Sequence, residues 1–466
     1  MLPTSERKPD SETETHLTPS SSSAVTRYAW VGVSAVIVCF LAYQARDQQL
    51  DDAMIYLRYF RNFWAGDGLV YNEGVWFNGL SSPLFSYLMI ALTGPFQNFI
   101  LVATVLSGIS MFGAVVALAL AFGSSAIQRT IISITLASFG YFYNTFGLET
   151  SLFLFLIGSS FCAYRFKPNW LPIIAAFAFI TRGEGMFLGF LILADIYRSR
   201  RIPSLSILVA FLISCTPLLV NWALYGQPLA ETAGAKTGQG QSGLWGPGIP
   251  FFQTQYLVDW FFSGKSFAVV SLLLLATKGI FSSLEKLFMI SIASFLITLA
   301  TFYVIFYIPN YHWYYAPFFY VLLGLAALGV ADTMENWVKR TTAKSFVSSG
   351  AIFSAAVVAT YAALMVNIIS LDKRQPFQPY VDIGKWLNEH TRPSSSVAMV
   401  EIGAVGWHSE RTIIDILGLV NPYNAEYIGD LELHQWLTHY QPDYILTHTP
   451  RWPHEVSAET LLSLEL

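Results

Sequence analysis

Charge is what this chain has least of. Asp, Glu, Lys and Arg make up 12% of its 466 residues, against roughly 25% in a soluble globular protein. That shortage excludes a disordered chain, a coiled coil and an ordinary cytosolic enzyme. A basic surplus is missing too: 26 Lys and Arg face 30 Asp and Glu, net −4, so nucleic acid is not an expected partner. Cysteine is scarce. Cys39, Cys162 and Cys215 all lie in apolar runs, so no extramembrane disulfide framework is implied. What is abundant is apolar surface: 54% hydrophobic residues, 16% aromatic, mean hydropathy +0.48. The class that remains is a polytopic α-helical membrane protein in a lipid bilayer, and the question is where its few charges sit.

Residues 1–27 are polar, end in a serine run and read as a disordered cytoplasmic tail. The run 28–45 reads as an uncleaved first span, because its charged lead is long for a secretory signal and no small-residue cleavage site follows. Further apolar runs lie at 99–122, 130–146, 151–164, 169–181, 184–197, 203–224, 264–278, 285–307, 315–333 and 347–370. These predict about eleven transmembrane helices within a membrane domain spanning 28–370. Several runs are short, so the helices either extend into flanking polar residues or are broken. One set of loops holds Arg129; Arg165 and Lys167; Arg198, Arg200 and Arg201; Lys278 and Lys286; Lys339, Arg340 and Lys344. The alternate loops hold little beyond Arg182 and Lys236. The positive-inside rule then predicts an inner or plasma membrane protein with its N-terminus in the cytoplasm and its C-terminus outside. A crossing at 82–94 would invert that order, and the run is short, so a helix lying on the outer surface is expected there.

Three segments face outward on this reading: 46–98, 225–262 and 371–466. The second is rich in glycine and is expected to be a mobile loop able to close over a ligand. The third has soluble composition and predicts a small α/β extracytoplasmic domain, with a helix at 382–390 and strands at 396–401, 412–416 and 443–447.

Chemistry concentrates at the outer ends. Asp51 and Asp52 open a predicted helix over 52–64, where one of them could simply cap the helix. A carboxylate at the membrane surface can also act as a general base toward a hydroxyl, or hold a divalent cation beside a phosphate. Glu149, Arg182, Glu184, Lys236, Tyr311, His312 and Trp313 gather at other outer ends. Lys, Arg and His suit a departing phosphate; aromatic faces and carboxylates suit a sugar. Arg182 and Glu184 could equally pair only with each other, and the aromatic run could be an interfacial belt.

The first outer segment carries Asp51-Asp52-Ala53, Arg58-Tyr59 with Asn62, Gly66-x-Gly68, Tyr71-Asn72-x-Gly74 and Gly79-x-Ser81-Ser82-Pro83-Leu84. This pattern resembles the opening loop of the GT-C membrane glycosyltransferases, in the branch of the mycobacterial terminal arabinofuranosyltransferases and their bacterial relatives. The similarity continues at Gly147-Leu148-Glu149-Thr150, at Thr181-Arg182-Gly183-Glu184-Gly185 (Gly183 stands where the family has proline), at Ala235-Lys236-Thr237 and at His312-Trp313-Tyr314. In the tail it includes Gly384-x-Trp386-Leu387, Glu401-Ile402-Gly403-Ala404 and Asp415-x-x-Gly418-Leu419. The resemblance implies transfer of a sugar, a pentofuranose such as arabinose favoured, from a polyprenyl-phosphate donor to an extracytoplasmic glycan or protein acceptor such as a pilin. It implies Asp51 or Asp52 as the catalytic carboxylate, and surface-lying juxtamembrane helices after it. Beyond the resemblance, their charge and outer position make Lys236, with Arg182 and His312 as further candidates, the expected contacts of the donor phosphate. Arg58, Tyr59, Glu149, Glu184, Tyr311, Trp313 and Trp386 are expected at the sugar or acceptor. A divalent cation, magnesium or manganese, held by Asp51 and Asp52 is left open. The rivals are a transporter or flippase of lipid-linked sugars, which would want ionisable groups at mid-membrane depth, and a non-enzymatic envelope scaffold, which leaves the paired aspartates unexplained.

Overall fold

In hydrocarbon a backbone must hydrogen-bond to itself, so long apolar runs fold as helices. The computed structural model describes residues 21–47, 50–96, 98–244, 274–281, 284–306, 308, 311–341 and 378–465. Among these, five helices are long and apolar enough to cross a membrane: Tyr28–Ala45, Phe99–Phe122, Ser204–Tyr225, Lys286–Ile305 and Ala316–Asn336. Shorter apolar helices occupy Pro83–Phe96, Thr150–Phe166 and Pro168–Thr181. The expected span at 347–370, most of the one at 264–278, the tail 1–20 and the loop beyond 244 lie outside the described residues.

The short runs are short because helices break. Ala126–Ser138 gives way to a 3-10 stretch, Gly140–Thr145. Leu171–Thr181 stops at the extended residue Arg182, passes through a 3-10 turn at Gly183–Leu188 and resumes as Gly189–Ser199. A Cβ on Gly185 would collide with the backbone of Ala178, so that turn folds tightly onto the preceding helix. The result brings Arg182 and Glu184 inward instead of leaving them at a loop tip.

Pro83–Phe96 is a helix of 14 residues, about 21 Å long against a hydrocarbon core of about 30 Å. It buries Phe85, Ser86, Met89 and Thr93. Trp64 Nε1 donates to Thr93 Oγ1 at 3.2 Å, tying it to the first-segment helix Asp51–Ala65.

The tail forms a three-stranded parallel sheet in the order β2-β1-β3, with β1 at Ser396–Met399, β2 at Thr412–Asp415 and β3 at Tyr444–Ile445. The strands are shorter than expected. Helix Ile402–Ser409 begins at once after Glu401, and Asp415 closes a turn by accepting the amides of Leu417, Leu419 and Val420. Helix Gln378–His390 lies against Ile402–Ser409, where Gly384 meets Val405 and His408.

This C-terminal module is clamped onto the first segment. Arg58 donates to the carbonyls of Tyr71 (2.9 Å), Gly406 (2.6 Å) and Arg411 (2.7 Å) and to Asn72 Oδ1 (3.3 Å). Asn72 in turn pairs both ways with the backbone of Ile413, as donor at 2.7 Å and acceptor at 3.0 Å. Tyr71 OH donates to Ile402 O at 2.6 Å, and Arg61 to Trp407 O at 2.9 Å. Residues hundreds of positions apart are thereby fixed at hydrogen-bond distance.

The glycine-rich segment 225–262 is described only as far as residue 244. Its described part contains a helix, Thr232–Gln241, packed against helix Asn424–Gly429. A Cβ on Gly238 would sit 2.6 Å from Ala425 O. Glycine here permits close approach of two helices.

Candidate active site

Asp51 and Asp52 begin helix Asp51–Ala65, yet neither caps it: Leu50 holds the cap position without a side-chain bond. Adjacent helical residues point about 100° apart, so the two carboxylates have different surroundings. Asp51 Oδ1 accepts the amide of Ala404 at 2.8 Å, and Oδ2 that of Gly403 at 3.0 Å. It therefore caps helix Ile402–Ser409 of the C-terminal module. A Cβ on Gly403 would overlap Asp51's own carbonyl oxygen. Burial pushes the Asp51 carboxyl up to about 7, against the lowering pull of those two amides.

Asp52 instead faces Lys236, with Oδ2 4.0 Å from Nζ. Lys236 lies over the ring of Tyr311, 4.2 Å from its centroid, with Trp313 at 5.8 Å. Tyr311 and Trp313 stack at 4.7 Å and 6°. Gln239, one turn beyond Lys236 on the same helix, donates to Tyr311 OH at 2.8 Å. These rings give the ammonium a cation–π cradle and leave its remaining hydrogens toward the cluster.

Arg182 is 5% exposed and stands between two carboxylates, Glu184 at 3.0 Å and Glu149 at 3.6 Å. Tyr303 OH donates to Glu184 Oε1 at 2.9 Å, and Tyr314 lies under the guanidinium at 4.9 Å. Arg182 Nη1 is buried and makes no hydrogen bond. Nor does His312 Nε2, whose ring is held through the backbone of Asn144. Burial lowers the His312 pKa while Asp52 pulls it upward, so a further anion beside it favours the protonated, donating form.

The fold thus gathers Asp52, Lys236, Glu149, Arg182, Glu184, Tyr311, His312 and Trp313, contributed by five separate stretches of chain. It does not bring in three other candidates. The hydrogen-bonding capacity of Arg58 is taken up by the clamp. Tyr59 is fully buried, donating to Phe77 O and accepting from the amide of Gly79. Trp386 is 54% exposed and stacks on His390. Sequence reasoning named Tyr314 only within the His312-Trp313-Tyr314 element and passed over Tyr303 and Tyr56, whose hydroxyl meets Ser81 at 2.8 Å; Tyr303 sits inside an apolar run with nothing to mark it. Asp415 was also missed as a site residue, although Gly418 three places on, at φ +77, marks the turn it closes.

Asp51 and Asp52 are the carboxylates that would hold a divalent cation. No group of three or more His, Cys, Asp or Glu among the described residues is arranged to hold one. Both oxygens of Asp51 accept amides, and Asp52 already faces an ammonium.

Residues 367–463 match a family described only as a domain of unknown function, DUF8728. No curated protein matches the chain in sequence. In fold the chain is similar to ArnT from Cupriavidus metallidurans, whose crystal structure holds bound undecaprenyl phosphate. The TM-score is 0.50 at 12% identity, over 87% of this chain and 88% of that one. At that identity only the fold is comparable.

Proposed function

We propose that this chain is a GT-C-type glycosyltransferase of the inner or plasma membrane, moving a sugar from a polyprenyl-phosphate donor to an acceptor hydroxyl on the extracytoplasmic side. One observation carries the reading. Lys236 faces Asp52 and His312 feels its charge, while Arg182 is joined to the cluster through Glu149; Arg182 Nη1 and His312 Nε2 are buried and make no hydrogen bond, Nη1 lying 3.6 Å from Glu149. A phosphate oxygen entering there would meet donors already aimed and desolvated, which favours charge developing on a departing phosphate. The fold shared with a structure that binds undecaprenyl phosphate supports the same donor class.

In this reading Lys236 is the principal phosphate contact, free to turn from Asp52. Arg182 is held by Glu149 and Glu184, its Nη1 at 3.6 Å from Glu149 still without a hydrogen bond. Tyr311 and Trp313 offer a stacked aromatic wall for a sugar ring. Asp52 is the first-segment carboxylate at the reacting centre, and Asp51 holds the module that closes over it. The resemblance of the first segment favours a pentofuranose such as arabinose, with an envelope glycan, lipid glycan or surface protein as acceptor. Purified chain supplied with a labelled lipid-linked sugar should release polyprenyl phosphate, and a panel of such lipids should rank the sugars. A transporter or a scaffold would release none. Full activity in an Asp51→Ala/Asp52→Ala double variant would sink the assignment.

A further inference from the structure

Helix Thr232–Gln241 is fixed along its length. Glu231, which precedes it, exchanges two bonds with Asn78 of the first segment: its amide donates to Asn78 O at 3.1 Å, and its carboxylate accepts the Asn78 amide at 3.2 Å. Farther along, Gly238 lets the helix pack on the carbonyl of Ala425. Lys236 and Gln239 are three residues apart, so they share one face of this helix. Both meet the same ring. Lys236 Nζ lies 4.2 Å from the centroid of Tyr311, and Gln239 Nε2 donates to the Tyr311 hydroxyl at 2.8 Å. Trp313 stacks on that ring, centroids 4.7 Å apart. Lys236 Nζ is in turn 4.0 Å from Asp52 Oδ2. A chain of direct contacts thus joins Gln239, Tyr311, Lys236 and Asp52.

Two hydrogen-bonding capacities are left over. A tyrosine hydroxyl has one hydrogen to give and accepts through its oxygen; a glutamine amide has two hydrogens and an accepting oxygen. Tyr311 accepts from Gln239, so its own hydrogen is not used there. Gln239 Oε1 accepts no hydrogen bond among the described residues. Turning the amide over exchanges the roles and leaves the same remainder, one donor and one acceptor side by side. That remainder fits one kind of group. A phosphate oxygen or a carboxylate only accepts. A sugar hydroxyl both donates and accepts, and completes the two together. Gln239 is 2% exposed, and a buried amide with bonds unmade costs stability until a partner completes it.

Resting on the transferase reading, we propose that Gln239 and the Tyr311 hydroxyl together read a hydroxyl of the donor sugar, on the carbon beside the one that bears phosphate. Lys236 lies on the Tyr311 ring and, in that reading, holds the phosphate. A group at the hydroxyl edge of the same ring is then a near neighbour of the phosphate. The sugar hydroxyl nearest the phosphate is the one on the adjoining carbon. Gln239 fixes the direction of the Tyr311 hydroxyl, so the pair selects against a sugar that lacks this group. Such a sugar leaves a buried donor and acceptor unpaired, and a polar site rejects it far more strongly than an apolar pocket rejects a missing methylene. Hydrogen bonds at this position strengthen as positive charge develops at the reacting carbon, so the selection falls on kcat as well as on KM.

The test uses the full chain in lipid nanodiscs. The donors are polyprenyl-phosphate arabinofuranose, or the lipid-linked sugar that the panel ranks above it, and the counterpart lacking that hydroxyl. The parent should favour the hydroxylated donor about 100-fold or more in kcat/KM. Tyr311→Phe keeps the ring beside Lys236 and removes only the hydroxyl. It should lower transfer of the hydroxylated donor about 30-fold and leave the deoxy donor within about threefold. Gln239→Leu should do the same, and the double variant should add little to either single one. Parental selectivity in Tyr311→Phe overturns the proposal. So does equal loss of both donors, which would make the pair a structural contact. A parent that transfers both donors equally overturns this inference and leaves the transferase reading standing. A parent that transfers no sugar of the panel overturns the transferase reading, and this inference with it.

Discussion

Two buried polar clusters lie side by side, and they differ in what their charges touch. In the clamp, Arg58, Asn72 and Tyr71 bond to backbone carbonyls and amides, nearly all of the C-terminal module, and every contact is satisfied. In the site, Asp52, Lys236, Glu149, Arg182 and Glu184 face other charges, and buried nitrogens of Arg182 and His312 make no hydrogen bond, Arg182 Nη1 meeting Glu149 only at 3.6 Å. A satisfied buried charge holds a structure together; an unsatisfied one costs stability and persists where a ligand completes it. The comparison separates scaffold from chemistry without reference to distance from either.

The largest expected effect falls on the site. Asp52→Asn and Lys236→Met should each reduce sugar transfer about 1000-fold, roughly 4 kcal/mol of transition-state stabilisation, with the melting temperature in detergent nearly unchanged. A large loss of stability would place them in the scaffold instead. Arg58→Met should do the converse. It leaves the carbonyls of Gly406 and Arg411 unpaired, costing about 3 kcal/mol of folding stability, and transfer should recover when the protein is assayed cold. Gly403→Ala is expected to cost about 2 kcal/mol, since a methyl there displaces the backbone of Asp51; limited proteolysis should then release the C-terminal module first.

Asp51 gives a pH signature. Its carboxyl is raised to about 7 in the folded chain, against about 3.9 when unfolded. The folded state therefore binds this proton more tightly, and the stabilisation it brings is lost as pH rises from about 4 to about 7. Asp51→Asn should flatten that part of the melting-temperature profile; an unchanged slope would mean the carboxyl is not desolvated. The smallest effect is expected at Glu410→Ala, which removes its exposed 3.5 Å pair with Arg61 and leaves the Arg61–Trp407 bond in place; that pair is worth under about 1 kcal/mol.

Much of the scaffold was legible because hydropathy is a local property. The runs at 99–122 and 285–307 became Phe99–Phe122 and Lys286–Ile305 almost residue for residue. Candidate residues were legible because charge is rare, so Lys236 and Arg182 stood out at once. Their geometry was not. Nothing in the pair Asp51-Asp52 says which one turns toward the cluster, because that depends on a helix 350 positions away. Tyr303 carries no signal within its apolar run, and the glycine at 238 looks the same in a loop as at a close helix–helix contact.

By itself, then, the sequence determined the class: composition dictates a membrane medium, and the medium dictates helices. It also determined which few side chains had chemistry to offer. Only the tertiary structure decided their roles. Asp51 was taken as a cap by the amides of Gly403 and Ala404, Arg58 was absorbed by carbonyls of the module, and Asp52 was left facing Lys236. The physical reason is that a polar group's function depends on which of its bonds remain unmade, and in this chain the partners that make them arrive from distant parts of the sequence.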